Sequence, residues 1–259
     1  MRSWTSPETS KNNSRIRSCD GRGVFVYDLP TRFDKDILVQ CSDMIPWVSL
    51  CDLLDNQGMG QPVPELGRRC YTTYQHSLEI MFHSRILNHP CLVRNPADAA
   101  VFYLPFYGGL DTLQWHFKNA SNGVKDALGL ELVRWLESQW PWWRNGGRDH
   151  MLVLGLISDD FHRWEQGSWG SNLLELDQMQ GPYKFLIERL PWEMKEIGAP
   201  YPTSFHPHDD SDIIDWQARI ANSPRTRFVT FAGGVRARAS GKLRSVLTEN
   251  CVSNAGFCR

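Results

Sequence analysis

Apolar runs bounded by turn residues predict five strands along this chain. They lie within residues 23–30, 95–105, 151–157, 183–188 and 227–232. The run MLVLGLI at 151–157 is uninterrupted, which is typical of a central parallel strand covered on both faces. The run VFVYDLP at 24–30 ends at a proline, which cannot continue a sheet ladder.

Helical spacing of apolar residues predicts helices that alternate with these strands. Residues 74–87 place Leu78, Phe82 and Ile86 on one face, and residues 124–140 carry a longer apolar face that Pro141 is predicted to end. A third helix is expected over 240–250. Alternating strands and helices predict an α/β fold with a doubly wound sheet, in which ligands bind at the carboxyl ends of the strands.

Changes in composition predict four segments. Residues 1–20 are polar and are expected to form a disordered leader. Residues 21–199 form one Rossmann-like lobe, and residues 200–226 begin with a proline-rich stretch that favours a connector between lobes. Residues 227–259 form the start of a second lobe.

The charge balance excludes several classes of partner. The chain has 28 basic and 29 acidic residues, so no strong field attracts a nucleic acid or a membrane surface. No run of 18 apolar residues is present, which predicts no membrane span in this chain. The leader also lacks the apolar core of a signal peptide, so the protein is either cytosolic or has lost a targeting segment.

Tryptophan and cysteine usage leaves two questions open. The 11 Trp residues fit core packing but also fit stacking on the apolar faces of sugars. The seven cysteines form no C-x-x-C pair and are more typical of disulfides in a lumenal protein, so some pair among the first five, Cys19, Cys41, Cys51, Cys70 and Cys91, is expected within bridging distance. Sequons at Asn12 and Asn119 permit that compartment, although chance supplies one or two.

Two polar constellations flank the most apolar strand. Residues 146–150 (GGRDH) precede it and offer a cation, a carboxylate and an imidazole on permissive backbone, although an ordinary polar loop fits equally well. Residues 158–163 (SDDFHR) follow it, and their paired carboxylates could share a proton or simply cap a turn.

Two further constellations lie near the predicted connector. Residues 206–210 (HPHDD) resemble metal ligands, but their spacing matches no zinc pattern, and no metal or other cofactor is expected. Residues 231–238 (FAGGVRAR) combine a strand end, two glycines and two arginines, which suits a phosphate group without matching a P-loop. No serine-hydrolase or zinc-protease motif occurs in the chain.

The order of several short motifs resembles the exostosin-like proteins of glycosyltransferase family 47, in particular their plant xyloglucan galactosyltransferase-like branch. The motifs occupy residues 24–30, 99–111, 147–150, 169–174, 200–203, 205–207 and 231–233. The resemblance covers roughly residues 20–251. It departs at residues 233–236 (GGVR), where the family usually has Ala-Pro-Arg-Pro, although Arg236 falls where the family's arginine lies.

The resemblance implies a GT-B architecture of two Rossmann-like lobes, with the acceptor on the first lobe and the donor on the second. It implies inverting transfer of galactose, or a related sugar such as galacturonic acid, from a UDP-sugar to xyloglucan side chains in the Golgi. The implied partners are the UDP-sugar, the polysaccharide acceptor and other Golgi glycosyltransferases. Family members carry an N-terminal anchor, and the sequence predicts none within residues 1–259.

Site roles follow from what an inverting transfer needs, a base for the acceptor hydroxyl and cations or dipoles for the leaving diphosphate. The expected base is His150, oriented by Asp149. Asp111 and Asp160 are the alternative candidates for the base. The expected diphosphate ligands are Gly233, Gly234 and Arg236, and the side chains expected to line the cleft are Arg148, Trp142, Trp143, Trp169 and His206.

Because the chain ends soon after the second lobe begins, it is expected to transfer sugar poorly as it stands. The alternative is a catalytically inactive acceptor lobe that acts as a glycan-binding or partner protein.

Overall fold

The computed structural model describes residues 19–163, 167–231, 242–254, 256 and 258. The chain divides into two compact units, Met1–His206 and Pro207–Arg259. Each unit is described by itself.

The first unit is built on a parallel five-stranded sheet, which confirms the α/β fold class. Its strands run in chain order across the sheet: β1 (Val24–Val26), β2 (Val101–Leu104), β3 (His150–Leu154), β4 (Tyr183–Leu186) and β5 (Glu196–Gly198). A single parallel bridge joins Val24 to Leu92 on the other side of β1. The predicted central strand is β3, and the short polar strand β5 has no apolar pattern that could have predicted it.

Helices cover both faces of the sheet. Within the described residues the helices are α1 (Lys35–Leu38), α2 (Cys51–Leu54), α3 (Leu78–Ile86), α4 (Gly108–His116), α5 (Asn122–Glu137), α6 (Trp140–Asn145), α7 (Asp210–Asn222) and α8 (Lys242–Ser253). Helix α3 packs on the face that carries Tyr103 and Val153, while α4, α5 and α6 contribute to the core that includes Leu152 and Leu154. A sheet covered in this way has the character of a Rossmann-like lobe of a GT-B protein.

Local hydrogen bonds mark where the two predicted helices of this unit, α5 and α3, begin. Helix α5 starts after Ser121, whose hydroxyl accepts the N–H of Val124, and buries Leu132 and Leu136 on one face. It ends at Glu137, and Pro141 lies in the first turn of α6 instead of stopping α5, because proline is tolerated where no intrahelical N–H bond is needed. Helix α3 begins four residues later than predicted, after a turn that joins Ser77 to Tyr74.

Two disulfides close loops of the first unit. They join Cys19 to Cys91 and Cys41 to Cys51, with Cα separations of 5.6 and 4.8 Å, which confirms the prediction of bridged pairs among the first five cysteines. Cys70 is buried as a free thiol. No helix among the described residues is both long enough and apolar enough to cross a bilayer.

The second unit contains α7 and α8, with a disulfide between Cys251 and Cys258. Helix α7 lies within the segment predicted as a connector and begins where Asp209 accepts the N–H groups of Ser211 and Asp212. The predicted strand at 227–232 is wrong for its described part, because residues 227–231 form only one bridge, between Val229 and Cys258. The predicted third helix corresponds to α8.

Candidate active site at the carboxyl edge of the sheet

Close backbone packing brings three segments together at the carboxyl edge of the sheet. The buried carboxylate of Glu79 accepts the N–H groups of Gly109 and Leu110 at the start of α4, at 2.5 and 3.2 Å. The imidazole Nδ1 of His76 lies 2.7 Å from the carbonyl oxygen of Gly155, directly after β3. A Cβ atom at Gly155 would lie 2.5 Å from the His76 carbonyl oxygen, so only glycine fits this approach.

Three side chains form what we call the Asp160 cluster: Asp160, His116 and Trp169. The indole Nε1–H of Trp169 donates to Oδ1 of Asp160 at 2.7 Å, and Nε2 of His116 lies 3.6 Å from the same oxygen. The rings of His116 and Trp169 stack with their centroids 4.2 Å apart. The cluster thus combines a carboxylate, an imidazole and an indole that come from α4, from the segment after β3 and from a later loop.

Burial changes the proton affinities of the cluster. Desolvation raises the pKa of Asp160 above its usual range, against the opposing effect of the Trp169 hydrogen bond. Desolvation lowers the pKa of His116 to about 4, with further lowering from His76 and Lys125, so His116 is neutral near pH 7. Among the described residues, Nε2 of His116 is buried and has no hydrogen-bond partner, although Oδ1 of Asp160 lies 3.6 Å away.

The cluster is open to solvent on one side. Trp169 is 52% exposed, whereas the Asp160 side chain below it is nearly buried. A flat apolar ring beside a carboxylate and a neutral imidazole can bind the apolar face of a sugar ring while the polar groups bind its hydroxyls. Tyr201 adds a hydroxyl, which donates to Glu188 at 3.2 Å, and its ring lies 6.2 Å from that of His76.

Asp111, a reserve candidate for the base, lines a cavity of about 220 Å³ between α4, α5 and residues 171–176. Burial raises its pKa to about 7, and its Oδ1 accepts the side-chain amide of Gln114 at 2.7 Å. The cavity adjoins the segment that carries Asp160, because Ser171 lies in its wall and donates its N–H to the Asp160 carbonyl at 2.8 Å.

The prediction that His150 lines a cleft is wrong. His150 is the first residue of β3 and therefore lies at the amino edge of the sheet, opposite the edge where Asp160 lies. Its ring is fully buried, stacked on Phe102 at 4.8 Å and bonded to the Tyr27 hydroxyl at 2.7 Å. Asp149 does lie 2.8 Å from the His150 Nδ1, as expected of an orienting carboxylate. The pair nonetheless has no access to a substrate, and we assign it to packing.

Two other residues predicted to line the cleft belong to the same amino edge. Trp142 is 6% exposed, with its ring centroid 5.0 Å from that of His150, so it is a core residue. Arg148 is exposed on the turn before β3 and does not adjoin the Asp160 cluster. The glycines of this turn, Gly146 and Gly147, both have positive φ and serve the turn itself.

Of the remaining residues predicted to bind substrate, one lies within the described part of the structure and the others lie outside it. His206 is half-buried, with Nε2 2.7 Å from the Thr73 hydroxyl, and its ring contacts that of Tyr71. Gly233, Gly234 and Arg236 lie outside the described residues, as does the side chain of Trp143.

Sequence reasoning missed His76, His116 and Glu79. None of them stands in a motif, and each has a partner in the site that lies at least 30 residues away along the chain. The available signal was a polar residue on an otherwise apolar helix, as at Glu79 in α3, but that pattern does not distinguish a site from a structural contact.

Replacing Gly170 by alanine is expected to destabilise the protein and to disturb the Asp160 cluster. Gly170 has φ +64°, and a Cβ atom there would lie 2.1 Å from the Asp160 carbonyl oxygen. The positive φ alone costs roughly 1–2 kcal/mol for alanine. Gly146→Ala is the matched control, because Gly146 has φ +56° with nothing within 4 Å of its Cβ position. Urea unfolding should show a larger loss for Gly170→Ala, and equal losses would contradict the proposed close contact.

Comparison with known proteins places this chain in a family. Residues 18–259 match the exostosin GT47 domain. The chain is 48% identical to xyloglucan-specific galacturonosyltransferase 1 of Arabidopsis thaliana over 259 residues, which is 100% of this chain and 39% of that protein. It is 48% identical to the probable xyloglucan galactosyltransferase GT20 of the same plant over 98% of this chain and 45% of the relative.

A third Arabidopsis relative, xyloglucan galactosyltransferase XLT2, is 39% identical over 93% of this chain and 48% of its own length. The chain therefore spans less than half the length of these three relatives. No solved structure matched it. The match over residues 18–259, together with the parallel sheet, shows that the chain belongs to the exostosin GT47 family.

Proposed function

We propose that this chain forms the acceptor-binding part of an inverting glycosyltransferase that transfers galactose, or galacturonic acid, from a UDP-sugar to side chains of xyloglucan. The family, and the activities for which its relatives are named, support the reaction class. The observation that carries the proposal is the solvent-facing indole of Trp169, held over Asp160 and His116 at the carboxyl edge of the sheet.

In the proposed mechanism, Asp160 is the base. The acceptor hydroxyl gives its proton to the Asp160 carboxylate as its oxygen attacks the anomeric carbon of the donor. The new bond joins the acceptor oxygen to that carbon, while the bond from the carbon to the UDP phosphate oxygen breaks and UDP leaves with the electron pair. A carboxylate whose pKa is raised by burial is a stronger base than an exposed one, which suits this role.

His116 is proposed to position the acceptor sugar. Its neutral imidazole stacks on Trp169, and its unpartnered Nε2 can form a hydrogen bond with a hydroxyl beside the one that reacts. The donor diphosphate is proposed to bind at Gly233, Gly234 and Arg236, because an arginine side chain can form forked hydrogen bonds with phosphate and glycines allow close approach to the backbone.

The proposed compartment is the Golgi lumen. Two disulfides in the first unit, Cys19–Cys91 and Cys41–Cys51, support it, because disulfides persist in the oxidising secretory pathway and are rare in the cytosol. The polysaccharide acceptor and the UDP-sugar are the proposed partners, with other Golgi glycosyltransferases as possible neighbours.

A glycan-binding protein without catalysis is the second candidate, because the Trp169 platform would serve binding alone. Titration with UDP or UDP-galactose separates the two. A rise in melting temperature with either ligand favours the enzyme, since a ligand that binds the folded state stabilises it. A response to xyloglucan oligosaccharides without a response to UDP favours the binding protein.

Trp169→Ala is expected to weaken binding of xyloglucan oligosaccharides by about 2- to 10-fold, because aromatic stacking is worth roughly 0.5–1.5 kcal/mol. Trp192→Ala is the matched control, since Trp192 is 64% exposed on the loop that leads into β5. Isothermal titration calorimetry measures both affinities. Equal affinities for wild type and Trp169→Ala would overturn the assignment of the site.

A further inference from the structure

Three exposed aromatic side chains form a continuous surface that begins at the Asp160 cluster. We call Trp169, Phe117 and Trp47 the aromatic strip. The ring centroids of Trp169 and Phe117 lie 6.2 Å apart, and those of Phe117 and Trp47 lie 4.6 Å apart. Their exposed fractions are 52%, 46% and 66%. Single exposed apolar residues are ordinary, but aromatic rings that are exposed and in mutual contact mark a binding surface.

The outer end of the strip lies on a loop that a disulfide closes. Trp47 stands between Cys41 and Cys51, which are joined covalently, and the Leu50 N–H donates to the Cys41 carbonyl at 2.9 Å. Met44, Ile45 and Leu50 anchor the same loop in the core, whereas Trp47 points to solvent. Several buried contacts and a disulfide therefore hold this loop in a conformation that exposes the Trp47 indole. Such preorganisation favours binding.

An ion pair fixes this loop against the end of α4. Nζ of Lys118 lies 2.6 Å from Oδ2 of Asp43. Lys118 directly follows Phe117 in the chain, and Asp43 lies four residues before Trp47. The pair places polar groups beside the strip while its two charges cancel. A surface with apolar rings, polar edges and no net charge is complementary to a neutral polyhydroxylated chain rather than to an acidic or basic partner.

We propose that the aromatic strip binds the backbone of the acceptor glycan one to two sugar residues away from the reacting sugar. The inference rests on the proposed function, because it takes the Asp160 cluster as the place where the reacting sugar lies. Successive pyranose rings present apolar faces to Phe117 and Trp47, and their hydroxyls bond to Asp43 and Lys118. The strip then makes affinity depend on the length of the oligosaccharide, and the Cys41–Cys51 disulfide maintains its outer end.

The test compares a short acceptor, a single xylosylated glucose, with a long one, a xyloglucan oligosaccharide of one repeating unit, by isothermal titration calorimetry with the full chain. Trp47→Ala is expected to reduce affinity for the long oligosaccharide by roughly 2- to 10-fold and to leave the short one unchanged, since one stacking contact is lost. Trp169→Ala should weaken both, and Trp192→Ala neither. A Cys41→Ala/Cys51→Ala double variant should resemble Trp47→Ala if it keeps its circular dichroism spectrum.

The outcomes separate this inference from the proposed function. If Trp169→Ala weakens binding while Trp47→Ala leaves the long oligosaccharide unaffected, the strip proposal is wrong and the proposed function stands. If neither variant changes binding, both are wrong. If Trp47→Ala instead abolishes a concentration-dependent self-association seen by sedimentation, the strip is a contact between copies of the chain and the proposal is overturned.

The sequon at Asn119 offers one more alternative occupant, since it lies two residues beyond Phe117. Asn119→Gln removes any glycan attached there. If the dependence on oligosaccharide length appears only in Asn119→Gln, the strip binds the chain's own glycan and the proposal is wrong. A length dependence that is the same with and without Asn119 supports it.

Discussion

Asp160→Asn is expected to reduce sugar transfer by about 10²- to 10⁴-fold, the range that a general base contributes. The amide cannot accept the acceptor proton, but its oxygen can still accept the Trp169 indole N–H, which lies 2.7 Å from Oδ1 in the wild type. Binding of the oligosaccharide should therefore change little. Initial rates of transfer from UDP-galactose and UDP-galacturonic acid, measured with the substitution in a glycosyltransferase that contains this chain together with a donor-binding part, and calorimetric affinities measure the two effects separately.

Asp159 provides the matched control for this experiment. It precedes Asp160 in the same 3-10 turn but is exposed, so Asp159→Asn should retain wild-type rates. The wild-type rate should also fall as the pH is lowered through the raised pKa of Asp160, because only the carboxylate form accepts a proton. Equal losses in both variants, or normal rates in Asp160→Asn, would exclude Asp160 as the base.

The fold could be predicted wherever buried positions give a regular pattern of apolar residues in the sequence. Strand β3 is apolar at nearly every position because it is covered on both faces, and α5 repeats its buried leucines every four residues. Strand β5 has no such pattern. It is three residues long, two of its residues are exposed, and its one buried residue is Glu196. Its pairing with β4 depends on tertiary contacts that periodicity does not encode.

The candidate site was only partly predictable for a different reason. Asp160 and Trp169 were found because they lie in or near motifs at the carboxyl end of an apolar run. His150 was preferred because it stands beside Asp149 in sequence, yet the direction of β3 places both at the amino edge. His116 joins Asp160 across 44 positions of chain, and only the packing of α4 on the sheet brings them together.

The contribution of Glu79 to the free energy of unfolding is expected to decrease as the pH rises from about 5 to about 8. Burial raises the pKa of Glu79 from 4.5 to about 8, outweighing the backbone N–H groups that lower it. In this window the folded state holds a proton on Glu79 that the unfolded state has lost, so the stability that Glu79 contributes is fully present below pH 4.5 and is lost as the pH approaches 8. Asp111, with a pKa of about 7, acts with the same sign.

Glu79→Gln should remove this contribution, because glutamine does not titrate. Each such group changes stability by at most about 1.4 kcal/mol per pH unit, so Glu79 accounts for about 2–3 kcal/mol between pH 5.5 and 7.5. Urea unfolding at these two pH values measures the difference, with Glu131→Gln, on the partly exposed ion pair with Arg32, as control. If Glu79→Gln retains the wild-type slope, Glu79 is ionised throughout and caps α4 as a carboxylate. The helix dipole and the N–H groups of Gly109 and Leu110 would then outweigh its burial.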